Sequence, residues 1–268
     1  MPTLLAIPFP VIDPVLVAVG PFAIRWYALS YIVGIVLGWR LAMHLARKPG
    51  SLVTPEQVDG LLLWATLGVI LGGRLGYVLF YNLDYFLQHP GEIFAVWHGG
   101  MSYHGGMLGV IVAMLVYARL SDVRFLALAD IVATVTPIGL FFGRLANFIN
   151  GELWGRVAHD VPWAMVFPTG GPEPRHPSQL YQAAMEGLAL FILLNIVFRV
   201  AAYREKPGFT AGLFLAGYGL ARIIGELFRQ PDAQIGYLIG GTTMGQWLSL
   251  PMVLVGLYFM ARAKKAEA

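Results

Sequence analysis

The chain has no cysteine among its 268 residues. That excludes disulfide staples, thiolate metal sites and a cysteine nucleophile of its own. Charge is scarce as well: Asp, Glu, Lys and Arg make up 12% of the residues, against roughly 25% in a soluble domain. The 18 basic and 15 acidic residues leave a net charge of only +3, scattered along the chain, which excludes a polyanion-binding patch and with it a nucleic-acid partner. No Lys or Arg precedes Arg25, so residues 1–20 lack the basic start of a cleavable signal peptide. What is abundant is apolar surface, with 57% hydrophobic residues and a mean hydropathy of +0.67. So few charges cannot cover the surface of a soluble protein of this size, and the composition is that of an all-α polytopic membrane protein.

A bilayer-crossing helix needs about 20 mostly apolar residues. Seven segments qualify, at roughly 23–43, 60–80, 100–118, 128–148, 180–198, 210–228 and 244–262. Arg40, Arg47 and Lys48 follow the first, Arg119 and Arg124 the third, Arg199, Arg204 and Lys206 the fifth, and Arg262, Lys264 and Lys265 the seventh. The opposite loops, 81–99, 149–179 and 229–243, hold only Arg156, Arg175 and Arg229. Basic residues mark the cytoplasmic side, which predicts an external (periplasmic) amino terminus and a cytoplasmic carboxyl terminus.

The expected organisation is an interfacial arm over 1–22, rich in proline (Pro2, Pro8, Pro10, Pro14, Pro21), helices one to four over 23–148, a small external head at 149–179, helices five to seven over 180–262 and a tail at 263–268. Loop 81–99, with Tyr85, Phe86 and Trp97, reads as a second interfacial arm, and Trp163–Phe167 as a short strand in the head. Gly34/Gly38, Gly68/Gly72 and Gly139/Gly143 have the spacing that lets helices approach closely.

Three arginines fall inside predicted spans: Arg74, Arg144 and Arg222. Each costs roughly 2.5–3.5 kcal/mol or more near a helix centre, so a chain does not keep three for packing alone. All three sit in the outer halves of spans two, four and six. One reading is an anion site, since guanidinium offers phosphate a planar fork of donors, and the anion available in the outer leaflet is a phospholipid headgroup. The other is that each snorkels or pairs with an acid, as Glu226 could with Arg222 four residues before it. Arg144 and Asn147 share a helix face that Asn150 and Gly151 continue, with Glu152 next in the chain. His104, between glycine pairs at the start of span three, can move protons near neutral pH. His44, His89, His98 and His159 read as solvated. Ser102 and Ser178 lack a nucleophile elbow, and no histidine pair has the spacing of a zinc site, so neither metal nor cofactor is expected.

The run Gly143-Arg144-Leu145-Ala146-Asn147-Phe148-Ile149-Asn150-Gly151-Glu152-Leu153-Trp154-Gly155 resembles the signature of the bacterial prolipoprotein diacylglyceryl transferases at every fixed position. Arg25-Trp26-Tyr27, Gly72-Gly73-Arg74, Ser102-Tyr103-His104-Gly105-Gly106, Arg175-His176-Pro177-Ser178-Gln179-Leu180-Tyr181 and Phe228-Arg229-Gln230-Pro231-Asp232 extend the resemblance over most of the chain. It implies a seven-helix enzyme of the bacterial inner membrane, with its site toward the periplasm. The reaction it implies moves diacylglyceryl from phosphatidylglycerol to the lipobox cysteine in a preprolipoprotein signal peptide, releasing glycerol phosphate. By the same resemblance His104, Arg144 and Arg222 are catalytic, and Tyr27, Asn147, Glu152, Gly155 and Glu226 are essential or important. Arg74, Asn150 and Arg229 complete the expected substrate-binding set.

Two rivals follow from the same residues. An anionic-phospholipid transporter or scramblase would spread cations through both halves of the membrane or repeat its topology, and neither is evident. An intramembrane protease would need paired aspartates, a serine–histidine pair or a metal motif, and Asp130 alone supplies none of them.

Overall fold

The computed structural model describes residues 6–20, 22–231 and 234–266. Pro2 and Pro21 of the arm, Asp232 and the last two residues of the tail lie outside the described residues. Three short strands lead the chain: β1 (Ile7–Pro8), β2 (Val15–Val19) and β3 (Phe22–Arg25). Five helices follow: α1 (Trp26–Ala46), α2 (Pro55–Tyr81), α3 (Leu83–Gln88), α4 (Tyr103–Leu120) and α5 (Phe125–Ile149). After strand β4 (Met165–Val166), helix α6 (Ser178–Gln182) continues through a π-helical segment, Ala183–Ala189, into α7 (Leu190–Arg199). The chain closes with α8 (Ala201–Arg204), α9 (Phe209–Glu226) and α10 (Met244–Arg262).

The strands correct the all-α expectation. Proline cannot donate to a helix ladder, and the extended arm satisfies its backbone by pairing instead. β2 and β3 form an antiparallel hairpin, so the first long helix starts at Trp26 and not at 23. β1 pairs in parallel with β4, Ile7 opposite Met165. That places a strand within the expected Trp163–Phe167 segment and ties the arm to the head. Phe9 seals the junction, its ring 5.3 Å from Phe148 and 5.2 Å from Phe167.

Six helices are long and apolar enough to cross a membrane: Trp26–Ala46, Pro55–Tyr81, Tyr103–Leu120, Phe125–Ile149, Ser178–Arg199 and Met244–Arg262. The expected sixth span is the helix α9, whose Arg222 and Glu226 lower its hydropathy. Among the described residues the long apolar helices therefore number six where the sequence predicts seven. The second span begins earlier than expected because Thr54 and Gln57 form a reciprocal capping box with Pro55 in the first turn.

The chain divides into two compact units, one made of the residues through Leu41 with those from Asp130 onward, the other Ala42–Ala129. In the second unit α2 and α4 meet through glycine. A methyl added at Gly68 or Gly72 would run into the carbonyl of Gly109 or Gly105 respectively, and one at Gly76 would lie 2.7 Å from Gly105 Cα. In the first unit Gly34 of α1 faces Gly139 of α5, where an added Cβ would lie 3.1 Å from the Gly139 Cα. Gly139 and Gly143 themselves depart from the packing expectation, since an added methyl at either meets nothing within 4 Å; Gly139 takes part only as the main chain that Gly34 approaches. Asp130 of α5, buried, caps α9 by accepting from the Gly208 and Ala211 amides, each at 2.7 Å. This fixes α9 against α5.

Candidate active site

Arg144 points from α5 toward the π-helical segment that follows α6. It donates from Nε at 3.1 Å and from Nη2 at 2.9 Å to Oε2 of Glu186, whose side chain is 0% exposed. The neighbouring Gly187 makes this approach possible, because an added methyl would lie 2.7 Å from Phe141 Cβ and 2.8 Å from its Cα. With the π segment pressed against Phe141, Glu186 reaches the arginine three residues further along α5. π-helical turns that interrupt α-helices are frequent at functional sites.

From α9, Arg222 joins the same carboxylate. Its Nη1 stands 3.7 Å from Glu186 Oε1, while Nη2 pairs with Glu226 at 2.7 Å. Glu226, 2% exposed, also accepts from Arg229 Nη1 at 3.2 Å. The 3.7 Å separation is too long for a hydrogen bond, and Arg222 Nη1 and Glu186 Oε1 are buried without a hydrogen-bond partner. Arg144 and Arg222 keep 16% and 14% of their side chains exposed, so the cluster opens where the guanidiniums are and is closed behind them. The carbonyls of Glu226, the last residue of α9, and of Arg229 just beyond it receive Arg156, at 2.9 and 3.1 Å, a cation at a helix C-terminus.

One turn beyond Arg144, Asn147 donates to Glu152 Oε1 at 2.8 Å, and Asn150 reaches the same oxygen at 3.4 Å. The Glu152 carbonyl accepts from Gln179 of α6 at 2.6 Å, and the Leu153 carbonyl from Ser178 at 2.9 Å. This stitches the signature run to the helix that carries Glu186. Gly155 is where the head crosses the end of α9. Its amide donates to His176 at 2.9 Å, and an added methyl would lie 2.6 Å from His176 Cβ and 2.7 Å from the Phe228 carbonyl oxygen. His176 is drawn below the ordinary histidine pKa, chiefly by burial and further by Arg156, with Asp160 opposing.

The expected residues thus fall into groups. Arg144, Arg222, Glu226 and Arg229 converge, and Asn147, Asn150, Glu152 and Gly155 adjoin them along the signature run. Tyr27, half-buried in α1, lies with its ring 5.3 Å from that of Tyr31. His104 and Arg74 belong to the other compact unit. His104 is exposed in the first turn of α4, just after the Ser102 cap. Arg74 is buried and donates to the carbonyls of Ile93, Glu92, Gly99 and Gly100, at 2.5–3.2 Å. Its guanidinium lies 5.0 Å from the Phe86 ring. Those donors order the 81–99 arm, and the partners are main-chain carbonyls where the pairing reading expected an acid. Two expected solvated histidines have neighbours: His159 lies 3.1 Å from Glu173 and His89 Nδ1 3.1 Å from the Tyr85 carbonyl.

Glu186 is the site residue that the sequence reading missed. Its signal in the sequence is that of an acid inside an apolar span, the same kind that marks Glu226. An apolar cavity of about 380 Å³ borders the cluster, lined by residues including Leu37, Phe141, Phe142, Gly187 and Leu188.

Residues 14–262 match the model of the family described as prolipoprotein diacylglyceryl transferase. A protein of Rhodospirillum rubrum named phosphatidylglycerol–prolipoprotein diacylglyceryl transferase is 60% identical, over 98% of this chain and 97% of its own length. Proteins of the same name from Paramagnetospirillum magneticum and Azospirillum brasilense are each 56% identical, covering 98% and 99% of this chain and the same shares of their own. With a family match over nearly its whole length, and the signature arginine at the centre of a buried polar cluster, this chain belongs to the prolipoprotein diacylglyceryl transferase family.

Proposed function

We propose that the chain transfers the diacylglyceryl group of phosphatidylglycerol to the thiol of a lipobox cysteine in a preprolipoprotein, forming a thioether and releasing glycerol phosphate. The observation that carries this reading is Arg222 Nη1, a buried guanidinium donor with no hydrogen-bond acceptor, next to an Arg144 that shares its carboxylate. Two guanidiniums steered by one acid suit a phosphodiester monoanion. The apolar cavity beside them suits a lipid tail.

In the reaction the cysteine sulfur attacks the glyceryl carbon that bears the phosphate ester. The C–O bond breaks, and its electron pair leaves with the phosphate oxygen. Arg144 and Arg222 neutralise the second negative charge that develops there, an interaction strongest in a water-poor site. His104 takes the thiol proton. Glu186 and Glu226 aim the guanidiniums, while Tyr27, Asn147, Asn150, Glu152 and Arg229 complete the binding surface and Gly155 holds the head against α9. Arg74 acts indirectly, by folding the arm at 81–99. No step requires a metal or cofactor.

The same reading places the protein in the bacterial inner membrane with seven spans, α9 being the sixth and shielded by its neighbours. By the distribution of basic residues, the arms at 1–22 and 81–99 and the head at 149–179 lie outside, on the periplasmic side, and the tail at 263–268 inside. Purified protein given radiolabelled phosphatidylglycerol and lipobox peptides tests it. Label is expected on a cysteine peptide and not on its serine counterpart. Label crossing leaflets without covalent transfer would instead mark a scramblase. A His104→Gln variant that keeps the full rate removes His104 from its role.

A further inference from the structure

Gln182 has an unusual position. It is fully buried, and neither its Oε1 nor its Nε2 has a hydrogen-bond partner. Exchanging the amide's oxygen and nitrogen does not change this, because both ends are unmet. Buried side-chain amides are in large majority bonded, and one that is not calls for a partner such as a ligand or a water, or for a catalytic role. Gln182 is the last residue of α6, immediately before the π segment. It lies four residues ahead of Glu186, a spacing that shares a helix face. Across from it is Gly225 of α9, where an added methyl would lie 3.3 Å from Gln182 Cγ and 3.6 Å from Nε2. Gly225 is next to Glu226 and three residues after Arg222. The amide therefore belongs to the same cluster, on its closed side. Gln179, three residues earlier and also buried, brings a second unmet acceptor, its Oε1.

We infer that Gln182 is a recognition residue for the neutral, hydroxyl-bearing end of the lipid headgroup. The inference rests on the transferase reading and deepens it. A phosphate held at the partly exposed guanidiniums directs its polar ester substituent inward and its diacylglyceryl arm outward, toward the bilayer and the incoming thiol. A polyol matches what waits inside, because a hydroxyl both donates and accepts and an amide offers one of each. A headgroup ending in an ammonium offers only donors and would leave the amide nitrogen unmet. A methyl ester offers neither.

The test compares phosphatidylglycerol with phosphatidylmethanol as donors to a lipobox cysteine peptide, using the full-length purified chain. Wild type is expected to favour phosphatidylglycerol in kcat/KM. Gln182→Met, similar in shape and apolar, should lower kcat/KM for phosphatidylglycerol about tenfold, roughly what one or two neutral hydrogen bonds supply. The loss should lie mainly in KM, with phosphatidylmethanol turnover unchanged. Gly225→Ala presses a methyl against the amide without removing it, and should move the ratio in the same direction. Equal use of both lipids by wild type overturns the inference. So does a ratio that survives both substitutions, which would mean the amide holds internal water only, or an equal slowing with both donors. A wild-type chain that transfers from neither lipid refutes the transferase reading itself.

Discussion

Replacing Glu186 by Gln tests the centre of the site with almost no change in volume. In the native chain one carboxylate oxygen accepts two bonds from Arg144 and the other faces Arg222 at 3.7 Å. The amide can keep one acceptor against Arg144, but it loses the charge that orients both cations. Hydrogen bonds to charged groups contribute about 1.5–3 kcal/mol each. Losing the equivalent of one lowers kcat/KM by about 10- to 140-fold, at 1.4 kcal/mol per tenfold. The sign of the split matters. Removing a negative charge does not weaken attraction for a phosphodiester, so KM should hold or fall and the loss should appear in kcat. Glu186→Ala is a harsher change. It strands two partly buried guanidiniums, and breaking a buried pair costs about 3–5 kcal/mol of stability. Steady-state transfer to a lipobox peptide, with thermal unfolding of each variant as a control, separates these effects. A Gln variant within threefold of wild type at unchanged Tm would refute the view that Glu186 sets the arginines.

Three further outcomes are expected. Gly155→Ala should lower stability by about 2–3 kcal/mol, as overpacking against fixed backbone does, seen as an earlier thermal transition; an unchanged Tm would mean the His176 and Phe228 segments can yield. Arg74→Ala should raise amide hydrogen exchange at residues 92–101 at least about tenfold, with little change in the first unit, because four carbonyls lose their donor together; Arg74→Lys should recover part of the protection. Because His176 is held below the ordinary histidine pKa by burial, the unfolded chain takes up a proton the native head resists. Its contribution is present above about pH 6.5 and is lost as pH falls toward the lowered native value. His176→Asn should flatten that part of the stability–pH profile, and an unaltered profile would count against the assignment.

The spans were legible because a twenty-residue apolar run has few other fates, and the largest shift of a helix start came where a local device intervened, the Thr54–Gln57 cap. Arg144, Arg222 and Glu226 stood out for the same reason, as charges in apolar surroundings, and the i, i+4 pairing of the last two is present. Glu186 carried as loud a signal, but its partners are 42 and 36 positions away in the chain and no spacing rule links them. The π segment that aims it has no sequence mark of its own. Two-residue strands such as β1 and β4 are too short for any periodicity, and their pairing is a long-range fact. Gly139 and Gly143 share one motif, yet an added methyl at either meets nothing within 4 Å, and only the Gly139 main chain is approached, by Gly34, because spacing gives a stripe without saying what faces it.

The glycine contact between α2 and α4 has a mechanical meaning. Where most helix pairs are cushioned by side chains that can change rotamer, these two touch main chain to main chain at Gly68, Gly72, Gly105 and Gly109. At those four glycines no side chain stands between the helices to be compressed. A push on one is delivered undamped to the other, so the hairpin acts as a single strut. Any flexing needed to admit bulky guests must then be taken up at its ends, in the 82–102 connection and the turn at 121–124.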